Sequence, residues 1–376
     1  MIVKLTGGGA DTTASPLSIT VAESAWKKRQ KAPADALALP CQVEPAGRGN
    51  VRVTFIAPGL KRGETKLVAL SAGRAKTVRV ERRGKNAEVF LGGQFFTRYE
   101  TALGPNKPYL YPIQAFGGKH LTRRWPLEEA PGEEKDHPHH RGLWFTHGEM
   151  NGVDFWTEGA KAGKTVHTNF PELTGGPLQG RIIAEADWVA PDGKRVAKDR
   201  RTIAVTPLTD NLILLDFAIT ITAEGGPLHW GDTKEGTFAI RVPESMRADK
   251  PGQGTLINAE GLSGAALWGK KSPWNDYFGP VGGEVLGMAI FDHPENLRYP
   301  TTWHSRTYGL FAANPFGLHD FDSTKKTPKS AGDLVTPEGQ SVTFRYRLAL
   351  HRGDTRAADI PGLFAAWATP PTVETV

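Results

Sequence analysis

Apolar and polar residues alternate along much of this chain with the period of β-strands. In "SVTFRYRLAL", Val342, Phe344, Tyr346, Leu348 and Leu350 fall on one side, and Thr343, Arg345 and Arg347 on the other. "RIIAEADWVAPDGKRVAKDRRTIAV" predicts a hairpin, with Pro191, Asp192 and Gly193 in the turn. "GTFAIRVP", "EVLGMAIFDHP" and "TYGLFAANPFG" predict further short strands ended by Gly or Pro. Helical spacing is confined to "ESAWKKRQK" near the start and "DIPGLFAAWA" near the end, where Asp359 is placed to cap. Strands at this density predict an all-β fold: a large antiparallel β-sandwich preceded by a small β module. The module is assigned residues 1–75, its "VRVTFIAPGLKRGETKLVAL" reading as a strand, a turn and an edge strand. The sandwich is assigned residues 76–370, and the break falls at "SAGRAK".

Composition narrows the function. The 376 residues include 43 Gly and 28 Pro with no repeat period, as many turns between short strands require. The net charge of +6 is spread over short basic clusters ("WKKRQK", "KDRR", "STKKTPK"), not gathered with aromatics along one element, so no nucleic-acid partner is expected. Cys41 stands alone, which excludes an internal disulfide and a Cys-rich zinc site. The longest apolar run, "NLILLDFAITITA", is interrupted by Asp216, so no membrane partner is expected either. The expectation is a soluble protein, cytoplasmic as written and extracytoplasmic if a leader has been removed.

The candidate chemistry centres on "DHPHHRGLWFTHG". Four of the eleven histidines, His137, His139, His140 and His147, lie in this window. As one continuous strand it would put His137, His139, Arg141, Leu143, Phe145 and His147 on one face. Pro138 cannot donate to a ladder, so the expected form is a loop entering a strand at Gly142, with His139 and His140 both turned toward a cleft. His137, His139 and His140 are spaced to allow a divalent metal. His147 lies about 20 Å of extended chain from His140, so one ion could hold both only across a sharp bend.

Three other stretches are as polar. "HWGDTKEGTFAIRV" places Asp232 and Glu235 before a strand whose Phe238, Ile240 and Val242 face the core, so that Glu235 emerges on the opposite side as a candidate general base. "DHPENLRYPTTWHSR" supplies His293, Trp303, His304 and Arg306, and repeats Asp-His-Pro as a second strand-to-loop exit. "NGVDFW" supplies Asn151. No phosphate-binding glycine loop and no nucleophile elbow is present.

"RYETALGPNKPYLYPIQAFGGKHLTR", "DHPHHRGLWFTHGEMNGVDFW", "HWGDTKEGTFAIRV" and "YPTTWHSRTYGLFAANPFG", in that order over roughly residues 97–352, resemble the PmoA-like proteins, a family of unknown function labelled "methane oxygenase PmoA". A methane oxygenase subunit is a membrane protein, which a chain with no long apolar run does not match. The resemblance implies instead a sandwich similar to galactose mutarotase-like proteins, which bind sugars on one sheet and use His and a carboxylate for acid–base work. By motif position, His139, His140, His147, Glu235 and His304 become the catalytic candidates. Asp136, Arg141, Trp144, Asn151, Asp232, His293, Trp303 and Arg306 become substrate-binding candidates, with Trp144 or Trp303 as a stacking face. The expected function is that of a carbohydrate-active hydrolase, lyase or epimerase acting on a small sugar or oligosaccharide and requiring no cofactor. The alternatives are a metal-dependent enzyme ligated by His137, His139 and His140, and a non-catalytic sugar-binding protein.

Overall fold

The computed structural model describes residues 1–28, 30–73, 77–101 and 106–376, and the second half of the expected break at "SAGRAK", residues 74–76, lies outside them. Two large antiparallel sheets dominate. One has nine strands, in the order Thr302–Ser305, Leu310–Asn314, Gly236–Arg241, Leu143–His147, Tyr109–Ala115, Gln94–Glu100, Asn86–Leu91 and Val78–Arg83, with the short Lys119–His120 strand also on Tyr109–Ala115. The other has eight, running from Lys164–Thr174 through Gly180–Val189, Arg195–Thr209, Leu212–Ala223, Ser341–Arg352, Glu284–Asp292 and Trp274–Val281 to Thr255–Asn258.

The sheets face each other across one apolar core, as the alternation predicts. Phe145 and Phe238 of the first sheet meet Phe217 and Tyr346 of the second, with ring centroids 6.2 Å apart for Phe145 and Phe217 and 4.7 Å for Phe238 and Tyr346. Phe344, Tyr346, Leu348 and Leu350 are all buried in this core. The hairpin at Pro191–Gly193 forms between Gly180–Val189 and Arg195–Thr209. On the opposite, polar face of Ser341–Arg352 a buried charge still needs a partner, and Arg347 finds one by gripping Asp216 through Nε and Nη2 at 2.6 and 2.9 Å.

The N-terminal sheet is ordered Ser15–Ala22, Asn50–Ala57, Leu37–Gly47, Thr65–Ala72, Ile2–Thr6 and Thr372–Thr375. Thr65–Ala72 is therefore interior and not an edge, held by a parallel neighbour, Leu37–Gly47, and by Ile2–Thr6. The last strand, Thr372–Thr375, returns to pair with Ile2–Thr6, so this sheet uses both ends of the chain. "TVET" is too short and polar to announce that pairing. Cys41 is buried in this sheet's own core, and burial pushes its thiol up to about 11, which leaves it inert.

Of the two expected helices, Ile360–Ala368 forms as expected, with the Asp359 carboxylate accepting from the Gly362 amide. The other shrinks to the single turn Glu23–Lys27, of which only Trp26 packs, half-buried, against the N-terminal core. Among the described residues no helix is long and apolar enough to cross a membrane.

Candidate active site

Strand parity decides which side chains reach the outer face of the nine-stranded sheet. Cross-strand register aligns Tyr109, Trp144, Ala239, Ala312 and His304 in one row. The adjacent row, Phe145, Phe238, Ala313 and Trp303, points the other way, into the core. Two alanines in the middle of the outer row leave a trough between Trp144 and His304. Trp156 lies across it, 5.4 Å from Trp144 and 6.2 Å from His304 between ring centroids. Its position is fixed by Asp154, whose Oδ1 accepts from the amides of Trp156 at 2.7 Å and Thr157 at 3.1 Å.

Beside this floor opens a cavity of about 280 Å³ lined by His137, His139, His140, Trp156, Thr157, Lys234, Glu235, His304, Arg306 and Tyr308. Segments far apart in sequence converge there, and each arrives for a local reason. Pro138 breaks no strand. It occupies the second position of a β-turn closed by the His140 amide donating to the His137 carbonyl at 3.0 Å, and this turn delivers the histidines. Gly142, at φ +57°, follows, in a conformation other residues resist, and a Cβ there would strike the Leu110 carbonyl. The strand begins at Leu143. Glu235 directly precedes the Gly236–Arg241 strand. Arg306 and Tyr308 sit on the hairpin turn between Thr302–Ser305 and Leu310–Asn314, closed by the Gly309 amide on the Arg306 carbonyl at 3.1 Å.

The histidines are stacked. Tyr308, His137, His140 and Trp144 form a column with successive centroid separations of 5.2, 4.7 and 5.3 Å, and His139 stands edge-on to His140 at 4.6 Å. Behind the column, Asp136 takes Arg123 and Arg241 together, Arg241 Nη2 reaching its two oxygens at 3.0 and 3.1 Å. Burial opposes ionisation of Asp136, but the Arg241 guanidinium, the His137 hydrogen bond and Arg123 outweigh it and hold the carboxyl below its usual range. Both guanidiniums are about 1% exposed. Asp136→Ala would strand two buried cations, and a loss of about 3–4 kcal/mol in urea denaturation is expected. An unchanged urea midpoint would show that the pair needs no counterion.

Arg241 also sets a tautomer. Its Nη1 lies 3.3 Å from His140 Nδ1. Guanidinium only donates, so Nδ1 must accept and the His140 proton resides on Nε2. Burial, then His139 and Arg241, hold His140 well below the usual imidazole range, so it is a neutral N–H donor. Burial, then Lys107 and His137, bring His139 down to about 4. Burial, then Arg306 and Lys234, bring His304 to about 3.

Glu235 divides its two oxygens. Oε1 meets Lys234 Nζ at 2.6 Å, while Oε2 faces Nδ1 of His304 across 3.9 Å, too far for a hydrogen bond. That Nδ1 is buried and has no hydrogen-bond partner among the described residues. A free carboxylate oxygen and an unsatisfied imidazole nitrogen thus flank one small space.

Other expected site residues lie elsewhere. His147 shares the parity of Phe145 and points into the core, with Nε2 on the Gly231 carbonyl at 2.9 Å and its ring 4.4 Å from Phe316. Trp303 has the same fate, its Nε1 donating to the Ser272 carbonyl at 2.9 Å. Trp144 is enclosed between His140 and Trp156, so neither tryptophan offers an open stacking face. Arg141 is spent on a bidentate pair with Glu158 at 2.8 and 2.8 Å. Asn151 pins a turn through the His229 amide at 2.7 Å, and Asp232 accepts from the amides of His319 and Gly332. His293 packs edge-on to Trp367, on the eight-stranded sheet. The two Asp-His-Pro tripeptides also differ: Asp292 ends a strand, whereas Asp136 lies in a loop seven residues ahead of one.

His137, His139 and His140 are not arranged around an ion. Metal ligands must aim their lone pairs at one point, whereas His137 and His140 are parallel, and each already commits Nδ1, to Asp136 and Arg241 respectively. Among the described residues no group of three or more His, Cys, Asp or Glu side chains is disposed to hold a metal.

Sequence reading missed Trp156, Tyr308, Arg123, Arg241 and the buried Lys107. Burial pushes Lys107 down to about 8, and its Nζ donates to the Trp156 carbonyl at 2.9 Å. Nothing in "GPNKP" signals a buried lysine.

The fold and site together define an antiparallel β-sandwich with a histidine-lined cavity on one outer face. The chain belongs to DUF6807, a family of unknown function, whose model matches residues 86–365. That span covers the cavity and most of both large sheets and leaves out the first six strands. No curated protein matches the chain.

Proposed function

We propose that this protein is a carbohydrate-active enzyme that moves protons on a single sugar unit, with Glu235 as base and neutral imidazoles as hydrogen-bond donors and acid. The observation that carries this reading is the juxtaposition of Glu235 Oε2 and the unpartnered His304 Nδ1, 3.9 Å apart, in the histidine-lined cavity. The His140 Nε2–H and the Tyr308 hydroxyl, which burial pushes up to about 12 and so keeps protonated, add donors on the same wall. A base beside neutral donors suits proton transfer, in which two groups must hold opposite protonation states at one pH.

Glu235 is the one carboxylate among the cavity-lining residues. Most glycoside hydrolases use two, so the arrangement favours an epimerase or a lyase over a hydrolase. The cavity volume of about 280 Å³ lies at the small end of ligand sites, which favours one sugar ring over an oligosaccharide. The carbohydrate direction comes from the likeness of the motifs to PmoA-like proteins and, through them, to galactose mutarotase-like sandwiches. No step of the proposed chemistry passes through a metal.

The test is saturation-transfer NMR with a panel of monosaccharides and disaccharides. At least one monosaccharide is expected to respond with wild type and to lose its signal with His139→Trp, which fills the cavity. Equal responses from both proteins would place binding elsewhere.

A further inference from the structure

We propose that the sugar this cavity accepts is an acidic one, and that Arg306 is the residue that binds its carboxylate. The inference rests on the reading of the cavity as a sugar site and adds the class of sugar.

The cations around the cavity are not equivalent. Lys234 is bound to Glu235 at 2.6 Å, and Arg241 and Arg123 share Asp136. Arg306 makes no ion pair with any described residue, and its Nε is buried without a hydrogen-bond partner. An arginine on a sheet-edge turn would ordinarily extend into solvent. This one is held back: its guanidinium carbon lies 3.6 Å from the centre of the Trp268 ring. Stacking occupies the faces of a guanidinium and leaves its edge, where the N–H fork lies, free to meet a planar anion. The backbone beneath is fixed, with the Arg306 amide donating to the Leu310 carbonyl at 2.7 Å. Trp268 is set in turn against His304, 5.1 Å away and edge-on, so the fork and the acid–base pair share one wall.

Charge counting selects the kind of anion. Of the charged groups lining the cavity, Lys234 and Glu235 cancel and Arg306 remains, a surplus of one positive charge. A singly charged carboxylate neutralises it, whereas a phosphate dianion would leave negative charge in a partly desolvated space beside Glu235. A uronate-type monosaccharide therefore fits the size, the hydrogen-bonding walls and the charge together.

The experiment is calorimetric titration of D-glucuronate, D-galacturonate, D-glucose, D-galactose and glucose 6-phosphate into wild type and Arg306→Gln. One uronate is expected to bind wild type at least about tenfold more tightly than its neutral parent. That preference should shrink with added NaCl and vanish in Arg306→Gln. The salt response needs only the wild-type protein, so it stands even if the variant fails to fold. A neutral sugar binding as tightly as its uronate, a preference that survives Arg306→Gln, or tighter binding of the sugar phosphate would each overturn the assignment while leaving the sugar site intact. If none of these sugars binds, both the assignment and the sugar reading fall.

Discussion

Replacing Glu235 by Gln is expected to reduce turnover about a thousandfold while sugar binding and thermal stability stay close to wild type. Positioned general acid–base catalysis contributes about 10²–10⁴ in rate, which sets the scale. Glutamine preserves the shape of the side chain and an oxygen for Lys234, which now touches Oε1 at 2.6 Å. It removes only the capacity of Oε2 to take a proton. The side chain is 28% exposed and begins an edge of the cavity, so the fold has little to lose. Kinetics and calorimetry on the same preparation give the answer. Full activity in Glu235→Gln would show that the base lies elsewhere, and lost binding would show that Glu235 serves as a ligand contact.

A steep loss of stability on mild acidification is the second large effect. His140, His147 and His304 are buried and neutral, His147 held at about 4 and His304 at about 3, both mainly by burial, with His140 also far below an exposed imidazole. Unfolding releases all three to ordinary values near 6.5. Their folded values lie below the unfolded one, so the unfolded chain takes up protons first. The stability is therefore fully present above about pH 6.5 and drains away as pH falls from there through the folded values of about 4 and 3. Three such groups amount to on the order of 5 kcal/mol between pH 6.5 and 5. Urea midpoints at pH 7.5, 6 and 5 should fall accordingly, and His147→Gln should flatten the slope by roughly a third. Midpoints that stay level over this range would mean that the buried rings are charged or hydrated in the folded protein. Within the folded state these rings stay neutral, so the rate profile should carry no His304 or His140 limb near pH 6.5.

Much of this architecture was legible because a strand displays its environment every second residue. The core faces of Ser341–Arg352 and Gly236–Arg241 could be read directly, and so could the exit of Glu235 on the far side. The same rule, carried one step further, places His147 in the core: it shares a face with Leu143 and Phe145, both apolar and buried. It likewise sends Trp303 inward as it sends His304 outward. Other features have no signature in a single chain. An alanine in a strand says nothing of a trough, and Ala239 and Ala312 matter only because the register sets them side by side. Arg123 and Arg241 look like surface arginines until Asp136 is found between them. Tyr308 and Arg306 depend on a hairpin turn that brings a sheet edge over residues some 70 to 170 positions earlier in the chain. Pairing across such distances is a property of the fold and not of any local pattern.

The central claim is that the cavity performs proton transfer on a sugar, and NMR in D₂O tests it most directly. Monosaccharides and uronates are incubated with wild type and with Glu235→Gln, following anomeric exchange, replacement of C–H protons by deuterium and the appearance of unsaturated products. The account predicts that wild type accelerates at least one of these for a sugar that binds in the cavity and that Glu235→Gln does not. A sugar that fills the cavity of the wild-type protein yet shows none of them would contradict it, and would make this a binding protein instead of an enzyme.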